Sequence, residues 1–307
     1  MVTSPILFLN TNERDYEMDI QKKSSLTENE IQQMKDLAYI CGQHDQIDYS
    51  TDLHTDFLMN RNENQTNDFN VYNETQLIGV LSMYDFERPT KLELIGFVHP
   101  HFRKQQIGTN LLQTAMKEIS KREVDEVLLI INGNSTSGKS FANQMKLPYL
   151  YSEYGMEFKS KEIKKTTKNN IQLSLASSTA LLELIEISSK AFGDSVENTA
   201  TWLHKMLNSS SHQVFYAHID GKTFGTITVN QQKDFATLSG FAVHPSYQGK
   251  GYGKEILNDI VYILLAKGIS TIELEVETKN SNALKLYTQC GFEITKKHDY
   301  YDLLHKK

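Results

Sequence analysis

The chain is poor in the residues that mark secreted and membrane proteins. Its two cysteines, Cys41 and Cys290, are too few and too far apart to form a disulfide framework, which favours a reducing compartment. No apolar run approaches the ~20 residues needed to cross a bilayer, and the first residues lack a signal-peptide layout. The histidines and cysteines show no metal-ligand spacing. These features predict a cytoplasmic protein with no membrane partner and no metal site.

The net charge and the chain length narrow the class of protein further. A net charge of −6 argues against nucleic acid as a partner and permits a cationic substrate that carries an amine. The apolar content of 39% and the charged content of 23% are typical of a globular protein. A chain of 307 residues suits two domains of about 150 residues each. We expect a monomer or a homodimer.

An internal repeat supports two domains. The segment 98–103, which reads Val-His-Pro-His-Phe-Arg, recurs at 243–248 as Val-His-Pro-Ser-Tyr-Gln. The same offset, held without gaps, aligns Gly108 with Gly253. A repeat near half the chain length indicates two copies of one domain.

The boundaries follow from composition. Residues 159–169 are rich in lysine and nearly devoid of apolar side chains, as a connecting segment is. We therefore predict a first domain over residues 1–158 and a second over 170–307. Strand and helix patterns within each copy favour an α+β or α/β class.

The candidate catalytic and ligand-binding residues lie in the segment from 237 to 292. An apolar run at 238–243 predicts a buried strand, and Gln248–Gly253 follows as a glycine-punctuated turn before a helix. Glycines let the backbone approach an anion closely, and the first N–H groups of the helix point at that anion. The turn is neither G-x-G-x-x-G nor a Walker loop. We interpret it as a phosphate cradle.

A second motif follows that helix. Ile272–Val276 is predicted as a strand and Ser281–Gln289 as a short helix that ends before Gly291. The first motif resembles the pyrophosphate loop of the GNAT superfamily of acyl-CoA N-acyltransferases. The second is similar to the acetyl-CoA half-site of bacterial ribosomal-protein N-terminal acetyltransferases. The residues that carry this second likeness are Glu275, Asn280, Ala283, Tyr287, Gly291 and Phe292.

The resemblance implies a fold and an activity. The fold would be α+β, with two tandem domains, each a mixed and mostly antiparallel sheet flanked by helices. The activity would be transfer of an acetyl group from acetyl-CoA to the amine of a small molecule or a peptide N-terminus. The tandem layout also resembles that of mycothiol synthases, in architecture alone. The residues that would bind acetyl-CoA are Val243, Gln248, Gly249, Lys250, Gly251, Tyr252, Gly253, Lys254 and Asn280.

Four roles follow from the same resemblance. The backbone N–H of Val243 would polarise the thioester carbonyl, and Asn280 would hold the pantetheine arm. Tyr287 would protonate the departing sulfur, although a helix tyrosine can also serve only to pack. Glu275 is the candidate base, acting through water. The alternative for Glu275 is an exposed strand residue, because Glu273, Glu275 and Glu277 share one face.

The first copy has lost this chemistry. Gln106 takes the place of Gly251, where a side chain would crowd the turn that holds the diphosphate. The candidate residues are also replaced: Ile130 for Glu275, Ser135 for Asn280 and Ala142 for Tyr287. The first domain could still bind a nucleotide weakly, but we expect it to be mainly structural or to form a wall of the substrate cleft.

Two alternatives remain open. Gly133–Ser140 satisfies the Walker pattern G-x-x-x-x-G-K-[ST], which would suggest a nucleotide hydrolase. The helix that follows must stop by Pro148, and no later strand ends in a convincing magnesium-binding aspartate, so we interpret the match as coincidence. A non-catalytic acyl-CoA sensor is the other alternative. It would keep the Gln248–Gly253 loop without needing Tyr287.

Overall fold

The computed structural model describes residues 19–50, 52–59, 64–86, 88–160 and 170–304. Most of the predicted connection, residues 161–169, lies outside these ranges. Among the described residues, no helix is long and apolar enough to cross a membrane. The helices are α1 (Glu28–Asp45), α2 (Thr55–Met59), α3 (Ile107–Ile119), α4 (Thr136–Gln144), α5 (Leu181–Phe192), α6 (Val196–Leu207), α7 (Tyr252–Ala266) and α8 (Ser281–Gln289).

Twelve strands accompany these helices over the same ranges. They are β1 (Ile20–Lys23), β2 (Asp68–Asn73), β3 (Gln76–Tyr84), β4 (Lys91–Val98), β5 (Glu126–Asn132), β6 (Tyr149–Phe158), β7 (Gln172–Leu175), β8 (His212–Ile219), β9 (Lys222–Gln232), β10 (Phe235–Val243), β11 (Thr271–Glu277) and β12 (Phe292–Asp302). The order β4-α3-β5-α4-β6 recurs as β10-α7-β11-α8-β12. The duplication and the mixed α+β class that the sequence predicts are therefore confirmed.

Each of the two compact units includes a strand segment from the other half of the chain. Unit 1 comprises the described residues of Met1–Tyr151 and His298–Lys307, and unit 2 comprises those of Ser152–Lys297. The predicted boundaries at 158 and 170 follow the sequence repeat, whereas the compact units divide within β6 and β12. The reason is strand pairing: a strand belongs to the sheet with which it exchanges backbone hydrogen bonds, whatever its place in the chain.

Unit 1 is built on a mixed sheet with the order β1-β2-β3-β4-β5, completed by residues 298–302 of β12. β4 and β5 are parallel, and the other neighbours are antiparallel. One face of the sheet buries an apolar core against α3, and the other face buries a second core against α1. The unit is thus a three-layer sandwich of helix, sheet and helix.

Unit 2 repeats this plan with the order β7-β8-β9-β10-β11-β6. Its parallel pair is β10 and β11, and residues 153–157 of β6 pair antiparallel with β11. Helix α7 supplies much of the core on one face. A smaller apolar cluster gathers around α5 and α6.

Local sequence signals set several of these boundaries. Thr27 and Glu30 form a capping box at the start of α1: the Thr27 N–H donates to Glu30 Oε2 at 2.8 Å, and the Glu30 N–H donates to Thr27 Oγ1 at 3.2 Å. Asp220-Gly221 forms the hairpin turn between β8 and β9, with φ of 49° and 74°. Positive φ at both central positions is the requirement of a type I′ turn.

Candidate functional site

The candidate site of unit 2 begins where two parallel strands part. β10 and β11 pair only over Phe235–Leu238 and Thr271–Leu274. Beyond these residues, β10 continues against β9 as far as Val243, while β11 continues against β6 as far as Glu277. The parted strands open a cleft at their carboxyl ends. Clefts at such a point are where sheets of this kind bind ligands.

A bulge in β10 lies beside this cleft. The pairing of β10 with β9 shifts register between Ser239 and Ala242, and Gly240 adopts a φ of 54°. A Cβ on Gly240 would lie 2.2 Å from Cη2 of Trp202, so only glycine fits between the strand and the indole. A glycine inside an apolar strand was the signal for the bulge, but nothing local identified its partner.

The turn after β10 is held by its own side chains. The His244 ring accepts a hydrogen bond from the Ser246 N–H at 3.3 Å and so caps the turn. The Gln248 side-chain amide donates to the Val243 carbonyl at 2.9 Å. The chain is thereby turned back on itself, and the next residues start α7 at the mouth of the cleft.

The glycines that follow leave that mouth open. Gly249 and Gly251 have φ of 75° and 86°, and no atom lies within 4 Å of the place where either Cβ would stand. Gly251 occupies the N-cap position of α7, and no side chain among the described residues caps it. The first N–H groups of α7 are therefore available to an anion, as the sequence predicts. Lys250 and Lys254 are exposed beside them.

Helix α8 packs against this loop. A Cβ on Gly253 would lie 3.3 Å from Leu286 of α8 and 3.9 Å from Val243. Asn280 is exposed at the N-cap of α8, where its Oδ1 accepts from the Ala283 N–H at 3.0 Å. The structure thus gives Asn280 a capping role. The contact with a pantetheine arm stays a prediction.

Tyr287 is a buried tyrosine at the end of α8, with 8% of its surface exposed. Its ring centroid lies 6.4 Å from that of Phe241 on β10 and 6.2 Å from that of Phe292. Burial raises the pKa of Tyr287 to about 12, with a smaller contribution from Cys290. The phenol therefore carries its proton at neutral pH and has one to donate.

Glu275 lies on the opposite face of β11 from Tyr287. Its neighbours Leu274 and Val276 point into the core that contains Tyr287, so the alternation of the strand turns Glu275 away from that core. The Glu275 side chain is 48% exposed, and its Oε1 lies 3.8 Å from Lys296 Nζ. Lys296 also lies 3.7 Å from Glu273, an ion pair that the sequence analysis missed because β12 is distant in the chain.

Unit 1 repeats the cleft. Residues 91–94 of β4 pair with 126–129 of β5, after which β4 continues against β3 and β5 against the end of β12. The turn before α3 keeps the conformation of its counterpart: Lys104 and Gln106 have φ of 63° and 62°, at the positions of Gly249 and Gly251. Gln106 adopts the left-handed conformation with its side chain exposed, and its crowding of a diphosphate at this turn stays a prediction.

Tyr287 and Glu275, the predicted acid and base of unit 2, have no counterparts at the aligned positions of unit 1. Ala142 is buried where Tyr287 would stand, and Ser135 caps α4 by accepting from the Gly138 N–H at 3.1 Å. The Walker-like Lys139 donates to the Gly133 carbonyl and lies 3.5 Å from Asp299. A lysine engaged in this way is not presented to a phosphate, and this arrangement gives the hydrolase alternative no support. Among the described residues, no cluster of three metal-ligating side chains is found.

Two copies of a mixed sheet, each with a parted pair of parallel strands and a left-handed turn before the next helix, define a tandem protein of one repeated domain. The family model for the acetyltransferase (GNAT) family matches this chain twice, over residues 31–141 and 181–292. The chain therefore belongs to the GNAT family, as the sequence motifs predict. GNAT acetyltransferases use acetyl-CoA.

Similar proteins agree with this assignment. The [ribosomal protein bS18]-alanine N-acetyltransferase of Haemophilus ducreyi is 45% identical over 71 residues, which is 23% of this chain and 49% of that protein. The chain thus spans about half the length of the curated relatives it matches. A GCN5-related N-acetyltransferase from Sphaerobacter thermophilus superposes with a TM-score of 0.73 at 16% identity, covering 92% of this chain and 96% of that one.

A second solved structure shares the duplicated layout. A tandem GNAT protein from the clavulanic acid biosynthesis pathway superposes with a TM-score of 0.64 at 13% identity. The match covers 95% of this chain and 100% of that chain. At such identities these likenesses show the fold alone, and the fold they show is the tandem one predicted from the internal repeat.

Proposed function

We propose that this chain is an acetyl-CoA-dependent N-acetyltransferase and that unit 2 carries its active site. The observation that supports this most directly is the combination found in one unit: parted strands, an uncapped glycine turn and a buried, protonated tyrosine. Unit 1 has the parted strands and the turn, but a buried alanine, Ala142, stands at the position aligned with Tyr287.

The turn of unit 2 fits the diphosphate of acetyl-CoA. The space where Gly249 and Gly251 lack a Cβ is open, and the start of α7 offers uncapped N–H groups beside Lys254 and Lys250, whose Nζ also donates to the Ser246 carbonyl at 3.0 Å. Both features favour a bound anion. In this proposal residues 248–254 hold the diphosphate and Asn280 contacts the pantetheine arm. Acetyl-CoA supplies the acetyl group as an activated thioester.

The protein's own groups then handle the protons and the developing charge. Glu275, through a water, takes the proton of the incoming amine, and the N–H of Val243 polarises the carbonyl. Tyr287 donates its proton to the departing sulfur. Because Glu275 and Tyr287 lie on opposite faces of β11, the amine approaches from one face of the sheet while the thiol leaves on the other.

The acceptor that we favour is the α-amine of a peptide or protein N-terminus. Relatives of the matching segment include enzymes that acetylate the N-terminal alanine of ribosomal protein bS18. The acidic net charge is compatible with a cationic amine of this kind. A small-molecule amine is the alternative acceptor. A cytoplasmic location and a monomeric or homodimeric state stay predictions.

Removal of the Tyr287 hydroxyl tests the active site. We expect Tyr287→Phe to lower kcat at least ~100-fold, which is the usual contribution of a positioned acid, while acetyl-CoA binding is kept. Tyr262→Phe is the matched control, since Tyr262 is exposed on α7. Thiol release would be measured with a panel of peptides that have free or blocked N-termini and with small amines.

The outcomes separate the alternatives. Unchanged turnover in Tyr287→Phe would contradict the assignment of the acid. Transfer to the blocked peptides or small amines alone would contradict the favoured acceptor. Acetyl-CoA binding without turnover on any amine would favour the non-catalytic sensor.

A further inference from the structure

A glycine in the middle of β6 is the observation that goes beyond this function. Gly155 lies directly opposite Glu275 in the antiparallel pairing of β6 with β11. Glycine weakens the interior of a strand, and there it often marks a place where another group approaches closely. That group is Lys296, because a Cβ on Gly155 would overlap Cγ, Cδ and Cε of its side chain. The lysine stem therefore occupies the space that a larger side chain at residue 155 would fill.

The gap at Gly155 lets Lys296 reach across a strand. In unit 2, β6 lies between β11 and the segment of β12 that carries Lys296. With its stem laid across Gly155, the lysine brings Nζ to 3.7 Å from Glu273 Oε2 and 3.8 Å from Glu275 Oε1. Both separations exceed a hydrogen bond, so one cation is shared electrostatically by two carboxylates. Because directly paired residues share a face of the sheet, Lys296 lies on the same face as Glu275.

That face of β11 and β6 is crowded with negative charge. Glu273 lies opposite Glu157, and Glu277 lies opposite Glu153. Like charges placed directly opposite each other repel, and repulsion of this kind disfavours the ionised form of a carboxyl group. Glu275 lies between the two pairs and is therefore exposed to the repulsion of both.

Lysines offset this charge in separate places. Lys159 and Lys279 each pair with a glutamate, at opposite ends of the face. In the part of the chain that the structure describes, Lys296 is the one cation within 4 Å of Glu275. Its side chain is 20% exposed, whereas that of Lys279 is 71% exposed. Because its stem is already packed over Gly155, Lys296 loses little further conformational freedom when it holds a carboxylate.

We infer that Lys296 is a positioning residue of the transferase: laid across Gly155, it holds the Glu275 carboxylate in place and stabilises its negative charge. Glu275 then takes the proton of the incoming amine through water, and Tyr287 supplies the proton of the departing thiol. Lys296 itself neither gives nor takes a proton. The inference rests on the function proposed for unit 2, because Lys296 acts only through the base of that reaction.

Three variants separate the charge of Lys296 from its stem. Lys296→Met removes the charge and keeps an unbranched stem, so kcat at saturating acetyl-CoA should fall about fivefold, the upper end for a partly exposed charge pair. Lys296→Arg keeps the charge and should stay within about twofold of the wild type. Gly155→Ala leaves every charge in place but displaces the stem, so it should lower kcat as Lys296→Met does.

Lys279→Met is the matched control. Lys279 also lies 3.8 Å from a glutamate of β11, so this variant removes an equal charge from a similar contact. Its kcat should stay within about twofold of the wild type, because it does not contact Glu275. A loss in Lys279→Met equal to that in Lys296→Met would reduce the effect to net charge and overturn the inference. Thermal denaturation would verify that each variant is folded.

The coupling between Lys296 and Glu275 distinguishes positioning from a merely structural role. In a Glu275→Gln chain the base is absent, so adding Lys296→Met should change the residual kcat by less than about twofold. In a Glu273→Gln chain the base is present, and the same substitution should keep its full effect. A residue that only supports the sheet would lower kcat by the same factor in both backgrounds.

The results separate this inference from the proposed function. Equal kcat in the wild type and Lys296→Met, or the same loss in both backgrounds, would overturn the role of Lys296 and leave the proposed function standing. Full activity of Glu275→Gln would overturn the base and the inference together, with acetyl transfer still shown by thiol release. No thiol release by the wild type with any amine would overturn both proposals. If Gly155→Ala fails to fold, Lys296→Met and its double variants decide the question.

Discussion

At the scale of single residues, Lys296 stands between two carboxylates of β11 that have different proposed roles. Its Nζ lies 3.7 Å from Glu273 and 3.8 Å from Glu275. Both glutamates share one face of the strand, and both pairs are partly exposed, so each contributes little to stability. The two carboxylates therefore form a natural matched pair for testing which one acts as the base.

We expect Glu275→Gln to lower kcat by roughly 100-fold or more, because a neutral amide cannot accept the proton of the amine. Glu273→Gln removes the same charge from the same lysine and should leave kcat within about threefold. Steady-state rates at saturating acetyl-CoA would be compared across pH. If the two variants have the same kcat, Glu275 is not the base and is simply an exposed residue of the strand.

The raised pKa of Tyr287 makes a separate prediction about stability. The unfolded tyrosine ionises near its ordinary pKa of about 10, while the buried one ionises only near about 12. Burial therefore favours the neutral form. The free energy of unfolding is unaffected by Tyr287 ionisation below pH 10 and falls as the pH rises towards 12.

Tyr287→Phe should remove this dependence. Between pH 10 and 12 the wild type should lose up to about 3 kcal/mol more than the variant, which corresponds to the shift of about two pKa units. Other buried tyrosines titrate equally in both chains, so the difference isolates Tyr287. Denaturant unfolding at a series of pH values measures it. Parallel curves for the two chains would mean that Tyr287 is not buried as described.

At the scale of the element, the bulge in β10 depends on one glycine and one tryptophan. A Cβ on Gly240 would overlap the Trp202 ring at 2.2 Å, and Gly240 also has a φ of 54°. Gly193, at the end of α5, has a φ of 78° and no atom within 4 Å of its Cβ position. Both glycines therefore have a positive φ, but only a side chain at Gly240 would collide with a neighbouring residue.

Gly193→Ala should cost about 1 kcal/mol of stability, which reflects the positive φ alone. Gly240→Ala should cost about 2–4 kcal/mol, because overpacking adds to the same backbone strain. It should also lower turnover, since the bulge adjoins the cleft. Chemical denaturation would compare the two. Equal losses would contradict the role of Trp202, and partial recovery in Gly240→Ala with Trp202→Leu would support it.

At the scale of the whole molecule, each unit depends on chain segments from both halves of the sequence. Residues 298–302 pair with 128–132 of β5 within unit 1, and Tyr301 is buried in the core of that unit. Residues 153–157 likewise pair with β11 within unit 2. The sequence repeat therefore differs from the folding unit, because the final strand of each repeat completes the sheet that contains the other repeat's parallel pair.

Division of the chain at the repeat boundary should consequently disrupt both units. The fragment 1–169 lacks the strand beside β5 and leaves that edge unpaired, so we expect no cooperative thermal transition and a tendency to aggregate. The same fragment extended by residues 292–304 through a flexible linker should regain a cooperative transition. Circular dichroism would measure the thermal transition, and amide exchange would measure the protection of β5. A cooperative transition of the unextended fragment at the temperature of the full chain would contradict the dependence.

Local interactions account for what the sequence by itself determined. The capping box of α1, the Asp220-Gly221 turn, the turn from His244 to Gly253 and the cap by Asn280 all depend on residues a few positions apart. Because such contacts join residues close together in the sequence, the motifs, the duplication and the family could be predicted from the sequence. The roles of Tyr287 as the acid and Glu275 as the base also come from the sequence motifs, and they stay predictions.

Only the tertiary structure decided the contacts between distant segments. Trp202 beneath Gly240, Lys296 beside Glu275 and the strands that complete each unit join residues far apart in the chain. A cavity of about 440 Å³ in unit 1 belongs to the same class, because it forms where two strands part and no stretch of sequence records the space left between them. Packing and strand pairing depend on all neighbours at once, and a sequence specifies those neighbours only through the completed fold.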